Sequence, residues 1–164
     1  MNYSKALNEC IESAYMVAGH FGARYLESWH LLIAMSNHSY SVAGATLNDY
    51  PYEMDRLEEV ALELTETDYS QDETFTELPF SHRLQVLFDE AEYVASVVHA
   101  KVLGTEHVLY AILHDGNALA TRILERAGFS YEDKKDQVKI AALRRNLEER
   151  AGWTREDLKA LRQR

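Results

Sequence analysis

The chain has 164 residues, of which 46% are hydrophobic and 27% charged, and its formal net charge at pH 7 is −10. This length and composition predict a folded chain with a sizeable core rather than a disordered one, and the negative charge argues against non-specific binding to nucleic acid or to anionic membranes. No apolar run approaches the about 18 residues of a membrane span, the N-terminus is no signal peptide, and a single cysteine excludes an internal disulfide, so we expect a cytoplasmic protein.

The negative charge lies in the first 141 residues. Residues 142–164 hold seven basic and four acidic side chains (net +3), which leaves ten basic and 23 acidic side chains (net −13) for the rest of the chain. A solvated helical tail is the simplest interpretation of this basic end.

The first 64 residues predict four helices. Apolar residues recur at spacings of three and four behind Ser4, which is a suitable N-cap for the first helix. A second helix follows Ser28, a short third ends near Leu47, and a fourth starts after Pro51. Residues 65–79 then hold five acidic residues and no basic one, which indicates a soluble connector.

The second half of the chain repeats the first. Residues 3–35 align without a gap on residues 80–112, at a constant offset of 77, and the identical pairs include Ser4/Ser81 and His30/His107. Residues 80–151 therefore predict a second four-helix unit, and the fold class is all-α: a tandem repeat packed as one pseudo-two-fold domain. Residues 152–164 predict the start of a linker helix, because Gly152 breaks the pattern and Thr154 and Asp157 form a capping-box sequence.

Motifs of enzyme chemistry are lacking. The sequence has no P-loop, no H-E-x-x-H and no G-x-S-x-G. Glu27 and His30 have the E-x-x-H spacing of di-iron bundles, but the second copy has Gly104 in place of Glu27, so a metal site is disfavoured. We expect Cys10 to be a buried hydrophobe, and His30 and His107 to brace each helix start against a neighbouring backbone group.

One polar position differs between the copies. The second repeat reads "GTEHVLYAIL" from residue 104, whereas the first reads "ESWHLLIAMS" from residue 27. Trp29 therefore stands where the second repeat has Glu106.

The doubled unit resembles the N-terminal domain of the Clp AAA+ unfoldases, through "YSKALNECIESA" and "FSHRLQVLFDEA" at the repeat starts and through "HAKVLGTEHVLYAIL" and "HDGNALATRILERAGF" in the second half. It is most similar to the members that work with adaptor proteins in regulated proteolysis. The resemblance implies a non-catalytic domain that binds adaptors and protein substrates, with no cofactor of its own. It also implies ATPase modules after residue 164 that use ATP and Mg²⁺, form a hexamer and engage the Clp peptidase, while the isolated domain is monomeric.

The same resemblance implies two pockets for phosphorylated arginine, one in each repeat. Carried over, the pocket residues are Ser81 and Glu106 in the second repeat and Ser4 and Trp29 in the first. A carboxylate suits a guanidinium, and a helix start suits a phosphoryl group. Trp29 offers no carboxylate, so the first pocket is expected to be degenerate, with at most cation–π stacking worth about 0.5–2 kcal/mol.

Two other interpretations stay open. Ser81 can be a simple N-cap and Glu106 a complement to the helix dipole, in which case the chain is a protein–protein docking domain without a small-ligand pocket. A stand-alone helical-repeat metalloprotein is the third hypothesis and the least favoured.

Overall fold

The computed structural model describes residues 1–65, 77–114, 119–129 and 134–163, with the backbone alone at 52, 128–129 and 134–140. The first repeat contains α1 (Lys5–His20), α2 (Ser28–Ser36), α3 (Val42–Leu47), α4 (Pro51–Met54) and α5 (Leu57–Thr65). The second contains α6 (His82–Val97), α7 (Thr105–His114), α8 (Leu119–Leu124), a π-helical turn (Glu125–Phe129) and α9 (Lys134–Ala151), and α10 (Arg155–Arg162) follows. Most of the predicted connector lies outside the described residues.

The predicted apolar stripes form the buried faces of the first helix of each repeat. In α1 the buried residues are Leu7, Cys10, Ile11, Ala14, Val17 and Ala18, and in α6 they are Leu84, Leu87, Phe88, Ala91, Val94 and Ala95. Ser4 and Ser81 cap these helices, because their hydroxyls accept from the backbone N–H of Leu7 and Leu84, each at 3.1 Å. The all-α fold class is confirmed.

The fourth helix differs between the repeats. In the first it is split into α4 and α5 by a turn at residues 55–56, whereas α9 runs unbroken to Ala151. The third helix of the second repeat also continues past Leu124 as the π-helical turn, so Gly128 does not end it. The prediction of two equal four-helix units is therefore correct for the order of the helices but not for their lengths.

The two repeats pack on each other through shared elements. Outside the helices, backbone pairing in the described ranges comprises two isolated parallel bridges, Tyr3 with Leu103 and Leu26 with Phe80. Each bridge joins the strand-like residues before the first helix of one repeat to those before the second helix of the other. A single hydrophobic cluster contains buried residues of both repeats, so the repeats share one core.

The turn after α9 directs α10 back onto the domain. Gly152 adopts φ +74°, in the left-handed region that favours glycine, and the N–H of Trp153 donates to the carbonyl of Glu148. The Trp153 ring packs edge-on against Tyr110 of α7, with centroids 5.3 Å apart, and Leu161 of α10 is buried. The capping box predicted at Thr154 and Asp157 is present.

Candidate functional site

The two capping serines lie beside helix starts of the opposite repeat. The backbone N–H of Ser81 donates to the carbonyl of Leu26, 3.0 Å away, just before α2. In the same way, the N–H of Ser4 donates to the carbonyl of Leu103, 2.8 Å away, just before α7. This exchange follows from the two parallel bridges, which place each serine next to the other repeat.

Ser81 forms a side-chain pair with Glu27. Its hydroxyl donates to Glu27 Oε2 at 3.0 Å, while its oxygen caps α6. Glu27 is the N-cap residue of α2 and forms a capping box with His30. A hydroxyl, a carboxylate and two helix N-termini therefore meet at this point, which we call the Ser81/Glu27 site.

Ser4 lies near the start of α7, where Glu106 stands in the first turn. The Glu106 side chain folds back over Gly104, where an added Cβ would collide with its carboxylate oxygen. Burial raises the pKa of the Glu106 carboxyl above its usual value, while a hydrogen bond from its own backbone N–H acts in the opposite direction. We call this region the Ser4/Glu106 site.

Glu106 has no cationic partner in the described part of the chain. Its Oε1 lies 3.5 Å from His107 Nδ1, but that nitrogen already accepts from the N–H of Gly104 at 2.8 Å. Because burial lowers the pKa of His107 to about 4, the imidazole is neutral at pH 7 and the contact is not an ion pair. A largely buried carboxylate without a cation is well suited to bind one.

These contacts revise the pairing expected from the sequence. Ser81 pairs with Glu27 of the first repeat, and the serine beside the start of α7 is Ser4, so the combinations Ser81 with Glu106 and Ser4 with Trp29 are not those that the hydrogen bonds show. The reason is topological, because the pockets expected within each repeat are replaced by contacts between repeats.

Trp29 belongs to the core. It is 7% exposed, its ring meets Phe21 edge-on at 4.7 Å, and it lies 3.9 Å from the ring of His30. Its faces are therefore occupied by other side chains, and it offers little surface for stacking on a guanidinium.

The carboxylate of the first repeat comes from Glu27, which sequence reasoning missed as a binding residue. Glu27 aligns with Gly104, two positions before Trp29, and it drew attention only for its E-x-x-H spacing. The available signal was a carboxylate at an N-cap position, where it faces the helix N-terminus as Glu106 does.

The predicted bracing role of the two histidines is confirmed. Nδ1 of His30 accepts from the N–H of Glu27 at 2.9 Å, matching the contact of His107 with Gly104. Burial lowers the pKa of His30 to about 3, so this imidazole is also neutral and its Nε2 carries the proton.

Cys10 and the candidate metal ligands have structural surroundings. Cys10 is fully buried, and burial raises the pKa of its thiol to about 11, so it is no ready nucleophile. In the ranges that the structure describes, no group of three or more histidine, cysteine or carboxylate side chains is placed to hold a metal ion, and no helix there is long and apolar enough to span a bilayer.

Comparison with known proteins identifies the family. A family model, the Clp repeat (R) N-terminal domain, matches residues 2–127, whereas no curated protein matches the chain. The crystal structure of the N-terminal domain of the caseinolytic protease associated chaperone ClpD from Arabidopsis thaliana superposes with a TM-score of 0.71 at 17% identity, over 92% of this chain and 95% of that one. A protein from structural investigations of a malarial protein secretion system gives 0.62 at 21% identity, over 90% and 96%.

The two solved structures show that the fold is shared. The family model matches most of the chain, including both serines and both carboxylates of the sites described above. The chain therefore belongs to the family of Clp repeat N-terminal domains, which are non-catalytic domains of Clp ATPases.

Proposed function

We propose that this domain receives adaptors and protein substrates for a cytoplasmic Clp unfoldase in regulated proteolysis, and that it recognises substrates marked by phosphoarginine. In the full-length protein, ATP and Mg²⁺ would be used by separate ATPase modules of a hexamer that engages the Clp peptidase. The chain itself would act by binding.

The observation that carries the proposal is the meeting of hydroxyl and carboxylate groups at helix N-termini. Ser81 Oγ lies 3.0 Å from Glu27 Oε2, and Ser4 lies beside the helix start that contains Glu106. A carboxylate can accept two parallel hydrogen bonds from a guanidinium. A hydroxyl and free N–H groups at a helix start can donate to a phosphoryl group. Phosphoarginine carries both groups on one side chain.

The two sites are not equivalent. Glu27 already accepts from Ser81, so a ligand there must replace an existing hydrogen bond. Glu106 is largely shielded from solvent and has no cationic partner in the described ranges. We therefore expect the Ser4/Glu106 site to bind more tightly than the Ser81/Glu27 site.

Titration calorimetry with phosphoarginine tests this order. Glu106→Gln should weaken binding at the tighter site by about tenfold or more, because a charge-assisted bidentate contact is lost. Glu27→Gln should affect only the weaker site. Glu12→Gln, an exposed change on α1 that removes the same charge, is the matched control and should leave both affinities unchanged.

The competing interpretation makes the opposite prediction. If the chain is a docking domain without a small-ligand pocket, phosphoarginine will give no heat that depends on Glu106 or Glu27. Adaptor binding, measured by co-elution from a sizing column, would then survive both substitutions. That result would refute the pocket and leave the family assignment intact.

A further inference from the structure

A second polar cavity lies between α7, α9 and α10. It has a volume of about 360 Å³, and its lining includes Arg144, Arg145 and Glu148 of α9, Arg162 of α10 and Tyr110 of α7. The turn at Gly152 creates this cavity, because it brings Arg162 back to the arginines of α9.

The arginines of this cavity outnumber its carboxylates. Glu148 is 5% exposed, and burial raises its pKa against the opposing effect of Arg162, Arg144 and Arg145. Within the described ranges, none of these three arginines forms an ion pair with a carboxylate. Arg150 of the same helix differs, because its guanidinium donates to Asp49 at 2.9 Å.

One donor in the cavity wall is left without an acceptor. The Nε–H of Arg144 is enclosed and meets no hydrogen-bond acceptor in the part of the chain that the structure describes. An enclosed donor without a partner costs about 1–3 kcal/mol. A bound oxygen anion would satisfy it.

The cavity continues along α10. A neighbouring cavity of about 580 Å³ is lined by Arg155, Leu158, Lys159, Arg162 and Gln163, and Arg162 is common to both. The two cavities together present five cations, which we call the basic groove: Arg144, Arg145, Arg155, Lys159 and Arg162. Leu158, Leu161 and Tyr110 supply apolar surface between them.

We propose that the basic groove binds an acidic peptide segment of a partner protein. Carboxylates of the peptide accept hydrogen bonds from the guanidiniums, and its aliphatic side chains pack against Leu158 and Tyr110. A peptide is favoured over a single small anion because the cations extend over two adjoining cavities and alternate with apolar surface. The first 141 residues carry a net charge of −13, so this groove is where an acidic segment finds complementary charge.

Fluorescence anisotropy on the 164-residue chain tests the proposal. The probe is a fluorescein-labelled peptide of six glutamates and two leucines, titrated at low salt. The double variant Arg144→Gln/Arg162→Gln should weaken its binding by about tenfold or more, because two charge-assisted contacts are lost. The double variant Arg24→Gln/Arg150→Gln changes the net charge equally outside the groove and should weaken binding by less than about twofold.

Three outcomes would overturn the proposal. Equal weakening in both double variants would show that the peptide responds only to net charge. Equal binding of a peptide with glutamine in place of glutamate would exclude carboxylate recognition. Displacement by inorganic phosphate, at a concentration where sodium chloride of equal ionic strength has no effect, would indicate a small-anion site. Thermal unfolding followed by circular dichroism checks that both variants fold, and the single change Arg162→Gln at an exposed position gives the same test if the double variant does not.

Discussion

His30 and His107 show how one residue can fix a helix start. Each imidazole accepts a backbone N–H three residues earlier through Nδ1. Protonation of Nδ1 would remove this acceptor and place a charge in a buried setting, which is why burial lowers the pKa values to about 3 and about 4. The neutral form of each histidine is therefore part of the fold.

The folded domain should lose stability as the pH falls below 6.5. Between pH 6.5 and about 4, the unfolded chain binds a proton at each of these imidazoles and the folded chain does not, so the free energy of unfolding decreases with falling pH. At pH 5 the loss is about 1–2 kcal/mol for each histidine. Urea unfolding at pH 7 and pH 5 measures it.

The double variant His30→Asn/His107→Asn provides the comparison. Asparagine keeps an acceptor near the position of Nδ1 but does not titrate, so the variant should be less stable at pH 7 and lose less stability on acidification. An equal loss in the variant and the parent chain would contradict the assignment.

At the scale of elements, Thr105 connects α7 to α3 across the repeats. The Thr105 hydroxyl, at the first position of α7, accepts from the N–H of Ala43 at 3.1 Å, and both residues are buried. Ala43 lies in the first turn of α3, whose own cap is Ser41. One side chain of the second repeat thus satisfies a free N–H at a helix start of the first.

Thr105→Val should reduce the free energy of unfolding by about 1–3 kcal/mol, because the shape is kept and the N–H of Ala43 loses its acceptor in the core. Thr105→Ser keeps the hydroxyl and should cost less. Urea denaturation of the two variants measures the difference, and equal costs would mean that the methyl group rather than the hydrogen bond matters.

At the scale of the whole molecule, the repeats depend on each other. Helix α3 packs on α7 and α9, and α2 packs on α8, so helices of each repeat cover apolar faces of the other. Both candidate serine–carboxylate sites also combine residues of the two repeats. Neither half has a complete core or a complete site.

Residues 1–65 and 77–164, expressed separately, should each show weak helical circular dichroism and no cooperative unfolding, because each exposes apolar surface that is buried in the whole chain. Mixing the halves should restore the helical signal. Cooperative unfolding of residues 1–65 alone would contradict this dependence and would favour two independent domains.

Local patterns in the sequence predicted most of the secondary structure. The stripes behind Ser4 and Ser81, the helix starts at Ser28 and Thr105, and the capping box at Thr154 depend on residues three or four apart, and all appear in the structure. The split between α4 and α5 was not predicted, since no proline or glycine marks it.

The sequence by itself determined the all-α repeat, the helix starts and the family resemblance, because these depend on neighbours within one or two helical turns. Only the tertiary structure decided which serine meets which carboxylate and which arginines share a groove. Ser81 and Glu27 lie 54 residues apart, and Arg162 reaches Arg144 only through the turn at Gly152. Such pairs are set by how apolar faces of separate helices pack, and no local spacing encodes that arrangement.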